Sequence, residues 1–214
     1  MASPPPTPRI KVCGLRDLSA ARAALEAGAD ALGLVHHAAS PRHVAPDAAR
    51  ALIAALDTDA LCVGVLLDLD PRDALQLARA MGVGALQLCG SEDPRDWGDF
   101  ELPLLRRLAV DASGERELER WRGVAAGFVL DHPAVPGGGG RAVDLAQAAR
   151  LARLAPCLLA GGLDRDSVAA AVAAVRPAGV DASSRLESAP GVKDVARVRA
   201  FVRAAGAALA EVTA

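Results

Sequence analysis

At 214 residues with 52% hydrophobic side chains, the chain is too apolar to be disordered and long enough to bury a sizeable core. Its formal net charge of −2 offers no electrostatic footprint for nucleic acid. Its apolar runs are broken by Asp, Arg or Gly well short of the ~18 residues that a membrane span needs.

The first eight residues are rich in Pro and lack the apolar stretch of a signal peptide. They read as a disordered leader, the protein is expected in the cytoplasm, and residues 9–214 read as one domain. Tyr is absent and Phe occurs three times, so the core is aliphatic. After the leader, short apolar runs alternate with amphipathic stretches. Residues 9–13 form a first strand. A helix over 17–27 follows, with Asp17 suited to its N-cap and Gly28 to its C-cap. A strand over 31–35 leads to a helix over 46–56, whose Pro46 suits a first turn. A strand over 61–67 leads to a helix over 70–81 ending at Gly82, then a strand over 85–88.

Residues 93–100 hold a Pro, a Gly and little periodicity, so the fourth helix is short or eroded. Strands over 104–110, 127–130, 157–160 and 179–182 alternate with helices over 114–121, 143–154 and 164–175. A long last helix over 192–212 is apolar at Val192, Val195, Val198, Phe201, Val202, Ala205 and Leu209, which is helical spacing. The strands are continuously apolar, as parallel strands covered on both faces are. Eight of them, one every ~25 residues, predict an α/β (β/α)8 TIM barrel. An open doubly wound sheet would carry GxGxxG after the first strand, where this chain has Cys-Gly-Leu-Arg-Asp.

A barrel places its chemistry at the C-terminal ends of the strands. There lie Cys13, Asp131, and the loop with His36, His37, Ser40, Arg42 and His43; Gly161 and Gly162 end the seventh strand, and Asp181, Ser183 and Ser184 the eighth. The last two loops suit a phosphate, because glycine lets the backbone approach an anion and loops seven and eight often bind one. Cys13 and Asp131 are the polar ends of otherwise apolar strands and the best candidates for base and acid. Of the four cysteines, Cys62 and Cys157 read as small hydrophobes, and none forms a CxxC pair. The long connection over 132–143, with four glycines at 137–140, reads as a lid or substrate clamp.

The stretches KVCGL, ADALGLV, SPRHVAP, VGVLLD, ALQLCG, FVLD, GGGGRAVDL, LLAGGL, VDASS and APGVKD, in that order, resemble the phosphoribosylanthranilate isomerase family over nearly the whole chain. The resemblance implies an Amadori rearrangement in tryptophan biosynthesis that needs no cofactor and no metal and acts on a small phosphorylated substrate. It further implies Cys13 as general base, Asp131 as general acid, Arg42 facing the anthranilate carboxylate, and Gly161, Gly162, Ser183 and Ser184 around the phosphate, with Asp181 beside the substrate. Cys89, His36, His37 and Arg185 depart from the family's usual residues. Two other readings stand beside this one. Another aminosugar-phosphate isomerase of this scaffold would use an Asp where the first strand has Cys13. A catalytically silent barrel would bind a phosphorylated ligand without turning it over. No apolar stripe calls for a partner subunit, so a monomer is expected.

Overall fold

A computed structural model describes residues 8–133 and 141–213. Eight parallel strands close into a barrel in sequence order: β1 (Ile10–Cys13), β2 (Ala31–Val35), β3 (Leu61–Leu66), β4 (Ala85–Leu88), β5 (Leu104–Ala109), β6 (Gly127–Asp131), β7 (Cys157–Leu159) and β8 (Gly179–Ala182). Between and after them run α1 (Leu18–Ala27), α2 (Pro46–Leu56), α3 (Pro71–Met81), α4 (Gly114–Trp121), α5 (Leu145–Ala152), α6 (Val168–Val175) and α7 (Val195–Thr213). Among the described residues, no helix is long and apolar enough to cross a membrane.

Local chemistry sets many of these boundaries. The Asp17, Asp70 and Asp144 carboxylates each accept from a backbone N–H three residues on, which caps α1, α3 and α5. Gly28 and Gly82 close α1 and α3 in the left-handed conformation. Between β4 and β5 the helix is reduced to a single 3-10 turn, Pro94–Asp96. The space inside the helical ring there is filled by Arg106, which leaves β5 on its outer face to meet Glu92 (2.5 Å), Glu117 (3.0 Å) and the Trp121 ring.

The C-terminal part differs from the expectation in one important respect. Residues 187–193 do not open the last helix; they form a small antiparallel hairpin, β9 (Glu187–Ala189) with β10 (Val192–Lys193). Val192 is 51% exposed and belongs to no helical face. The helix starts at Val195 because the Asp194 carboxylate accepts from the backbone N–H groups of Ala196 and Arg197. Helix α6 likewise starts late: Asp164 turns the chain by accepting from the N–H groups of Asp166 and Ser167 before the helix begins.

Side chains alternate between two environments along every strand. Outward residues such as Val12, Leu32, Leu86 and Leu130 join the large apolar layer under the helices. Inward residues form a separate apolar layer of Val63, Ala85, Leu105, Val129, Leu158 and Ala160. Above it lies a smaller group of Cys13, Val35, Val65 and Cys89. This second group is the floor of the functional site.

Candidate active site

The inward positions of β1 are Lys11 and Cys13. Lys11 is fully buried and stands in register with Asp181 on β8, the strand that closes the barrel. Its Nζ donates to Asp181 Oδ2 at 3.0 Å. The second oxygen, Asp181 Oδ1, is buried without a hydrogen-bond partner. Burial pulls the Lys11 ammonium down, but Asp181 and Cys13 outweigh it and hold its pKa above the ordinary lysine range.

One layer up, Cys13 is paired in register with Gly33 on β2. Burial pushes its thiol up; Lys11 and Lys193 pull the other way, without cancelling the burial. The next residue, Gly14, has φ +75°, and a Cβ there would lie 2.5 Å from Arg42 Cδ. The glycine of KVCG therefore lets the Arg42 side chain cross close to the end of β1. The guanidinium is held side-on by Glu187, with Nε donating at 2.7 Å and Nη2 at 2.8 Å. Lys193 Nζ donates to Glu187 Oε1 at 2.7 Å and to the Ser183 carbonyl at 3.1 Å. Ser183 Oγ in turn donates to the Cys13 carbonyl at 3.0 Å. Burial alone would raise the Glu187 carboxyl, but its bonds to Arg42 and Lys193 prevail and keep it below the usual carboxylate range.

Across the barrel mouth, Asp131 ends β6. Its Oδ1 accepts from the His132 N–H at 2.8 Å, and its Oδ2 lies 3.7 Å from Arg107 Nε. Arg107 Nη2 donates to the His132 carbonyl at 2.7 Å. From β4, Gln87 Nε2 donates to Cys89 Sγ at 3.3 Å. Burial pushes the Cys89 thiol up to about 12, which keeps it protonated near neutrality. On the remaining side, Gly161 and Gly162 both have positive φ (+87° and +71°). A 3-10 turn, Ser184–Leu186, follows Ser183.

All eight residues singled out from the sequence line one cavity: Cys13, Arg42, Asp131, Gly161, Gly162, Asp181, Ser183 and Ser184. His37, Gln87, Cys89 and Arg185 line it too. The four glycines at 137–140 lie outside the described residues, as do residues 1–7 of the leader. Sequence reasoning did not assign Lys11, Glu187 or Lys193 to the site. The signal for Lys11 was its parity, two residues before Cys13 in a strand; Glu187 and Lys193 carried none, because charged residues are by default exposed.

A family model described as N-(5'phosphoribosyl)anthranilate (PRA) isomerase matches residues 10–204. The chain belongs to this family. The N-(5'-phosphoribosyl)anthranilate isomerase of Desulforudis audaxviator is 43% identical over 94% of this chain and 98% of its own. That of Myxococcus xanthus is 44% identical over 92% and 95%. Among solved structures, the phosphoribosyl anthranilate isomerase of Thermus thermophilus superposes with a TM-score of 0.83 at 33% identity, covering 93% of this chain and 98% of that one. A family member solved in complex with reduced 1-(o-carboxyphenylamino)-1-deoxyribulose 5-phosphate superposes with a TM-score of 0.81 at 28% identity, covering 94% and 100%. Solved members of the PRA isomerase family thus share this barrel over nearly all of its length.

Proposed function

We infer that the chain isomerises N-(5'-phosphoribosyl)anthranilate to 1-(2-carboxyphenylamino)-1-deoxyribulose 5-phosphate, a step of tryptophan biosynthesis. The observation that carries the assignment of residues is the single cavity in which Cys13, Asp131 and Arg42 meet the glycines and serines of the last two loops. Asp131 gives its proton to the ribose ring oxygen. The C1–O bond breaks as the anilino nitrogen's lone pair forms a C=N bond, giving an open-chain Schiff base. The Cys13 thiolate then takes the proton from C2, and the released pair makes the C1=C2 bond of an enolamine as the C=N π pair returns to the nitrogen. Tautomerisation moves the C2 hydroxyl proton away and returns one to C1, leaving the ketone. C1 is reduced and C2 oxidised within one molecule, so no external redox partner enters the balance.

The surrounding groups fit these roles. Lys11 and Lys193 oppose the burial penalty on the thiolate. Asp181 Oδ1, with no partner of its own, is an acceptor for a sugar hydroxyl. Gly161 and Gly162 bring backbone toward the phosphate, with Ser183 and Ser184 opposite. Arg42 offers the ring carboxylate a planar fork. Incubation of the purified protein with N-(5'-phosphoribosyl)anthranilate should yield the ketose product; a folded protein that binds the substrate and never converts it would establish the silent-barrel reading instead.

The protein is read as a cytoplasmic monomer. Leu154 and Val192 are the exposed large hydrophobic residues among those described, which leaves little apolar surface for a partner. Light scattering should give a mass near 21.8 kDa, and twice that mass would overturn the monomer.

A further inference from the structure

Glu187 is buried at the start of β9 and receives four donors: Arg42 Nε and Nη2, Lys193 Nζ, and the Gly191 N–H at 3.2 Å. An ionised carboxylate has about four acceptor positions, so Glu187 has none to spare for substrate. Its place is fixed by backbone as well as by charge. Gly191, in the hairpin turn, has φ +79°, and a Cβ on it would run into the Pro41 carbonyl oxygen. Arg16 Nη1 donates to that same oxygen at 2.9 Å. The hairpin turn and the residue preceding Arg42 are therefore in direct contact, and a side chain at 191 would push them apart.

The side-on pairing consumes Nε and one Nη2 hydrogen of Arg42. The end-on edge, Nη1 with the other Nη2 hydrogen, meets no acceptor among the described residues, while Arg42 lines the cavity. Charge points the same way. Arg42 paired with Glu187 alone would be a neutral dipole and a poor attractor of anions. Lys193 donates to the same Glu187 oxygen as Arg42 Nε, so two cations share one carboxylate, and Arg42 carries that surplus positive charge to the cavity it lines.

We propose that Glu187 is a positioning residue for the substrate's ring carboxylate: it holds the Arg42 guanidinium side-on so that the end-on fork faces the carboxylate before the ligand arrives. The proposal rests on the reading of Arg42 as the carboxylate anchor. Its physical content is preorganisation. A long, flexible side chain loses rotamer freedom when it grips a ligand, and a side chain already held by buried partners loses less.

Two ligands separate this role from a general structural one: the reduced product, and its anilino counterpart without the ring carboxylate. Titration calorimetry on the full chain should show that the wild type prefers the carboxylate ligand by roughly 10- to 100-fold, the size of one charge-assisted hydrogen bond. Glu187→Gln should lose on the order of tenfold of that preference, since the fork must then be ordered on binding, and should hold the anilino ligand nearly as the wild type does. Glu187→Asp, which keeps the charge but falls a methylene short, should show the same selective loss and serves where thermal melting shows Glu187→Gln unfolded. Retained preference in these variants, or equal weakening of both ligands, overturns the proposal. Arg42→Ala separates the two layers of the argument. If it keeps the preference, the anchor reading fails and takes the proposal with it. If it abolishes the preference while the Glu187 variants keep it, only the positioning role fails.

Discussion

Gly33 provides the space that the Cys13 thiol occupies. A Cβ built on Gly33 would lie 2.7 Å from Cys13 Sγ and 3.0 Å from Cys13 Cα. The second distance matters more, because a backbone atom cannot rotate aside. Gly33→Ala should therefore shift β1 against β2 as well as the thiol, costing ~1–3 kcal/mol as overpacked cores do. The shift also moves the base relative to the substrate, so kcat should fall along with Tm. Steady-state kinetics and thermal melting check both; an Ala variant with wild-type kcat and Tm would show that the two strands tolerate the methyl group.

Cys13→Ala should keep the fold and lose turnover. The substitution removes only the sulfur from a site that is already partly open, and removal of a general base typically costs ~10²–10⁴ in rate. The reduced product should still bind, because Arg42 and the last two loops are untouched. Near-normal kcat in this variant would place the base elsewhere.

Asp131→Asn tests the acid. The amide oxygen can still accept from the His132 N–H that now reaches Asp131 Oδ1, so the local geometry survives while the acidic proton is gone. We expect kcat to drop by ~10²–10⁴ with the affinity for reduced product little changed, because the lost interaction belongs to the transition state. Kinetics paired with calorimetry gives both quantities. Wild-type turnover would direct attention to His132.

The pH behaviour of Cys13 has a definite sign. Burial is the largest influence and raises its pKa; the Lys11 and Lys193 cations lower it by less. In the unliganded protein the alkylation rate of Cys13 should climb about tenfold per pH unit through neutrality and level off above the ordinary thiol value of roughly 8.5. Lys11→Met removes a cation and leaves Asp181, which itself raises the thiol, so the plateau should move to still higher pH. Iodoacetamide labelling with mass-spectrometric quantification of the Cys13 peptide keeps Cys89 apart from the signal. A plateau below the ordinary value, or a downward move in Lys11→Met, would contradict this electrostatic account.

Most of the barrel was legible because each of its elements carries a local signal. Strands β2, β4 and β8 and helices α2 and α4 fall where the apolar runs and the periodicity place them. The hairpin β9–β10 was not legible. Its strands are three and two residues long, and Val192 happens to continue the 3.6-residue spacing of the helix behind it. Asp194, which caps that helix, was the overlooked marker. The site shows the same division. Cys13 and Asp131 stand out as polar ends of apolar strands. Lys11 was signalled only by its parity with Cys13, and its partner Asp181 lies 170 residues away; Lys193, whose side chain is also wholly buried, could be placed inside only once its partner Glu187 was known.

The Lys11–Asp181 pair joins the first strand of the barrel to the last, across 170 positions of sequence. Cys13 leaves the ribosome well before Asp181, Ser183 and Lys193. Until they arrive, shutting the barrel would strand the Lys11 ammonium without a counter-ion, a costly state for a buried charge. The seam therefore closes only once β8 has been made, and Cys13 meets Asp181 and Lys193 only then. A chain cut ahead of β8 carries Cys13 and Lys11 but neither Asp181 nor Lys193, the later charges that act on the thiol. Closing the seam and completing the cavity are thus one event, because Asp181 takes part in both.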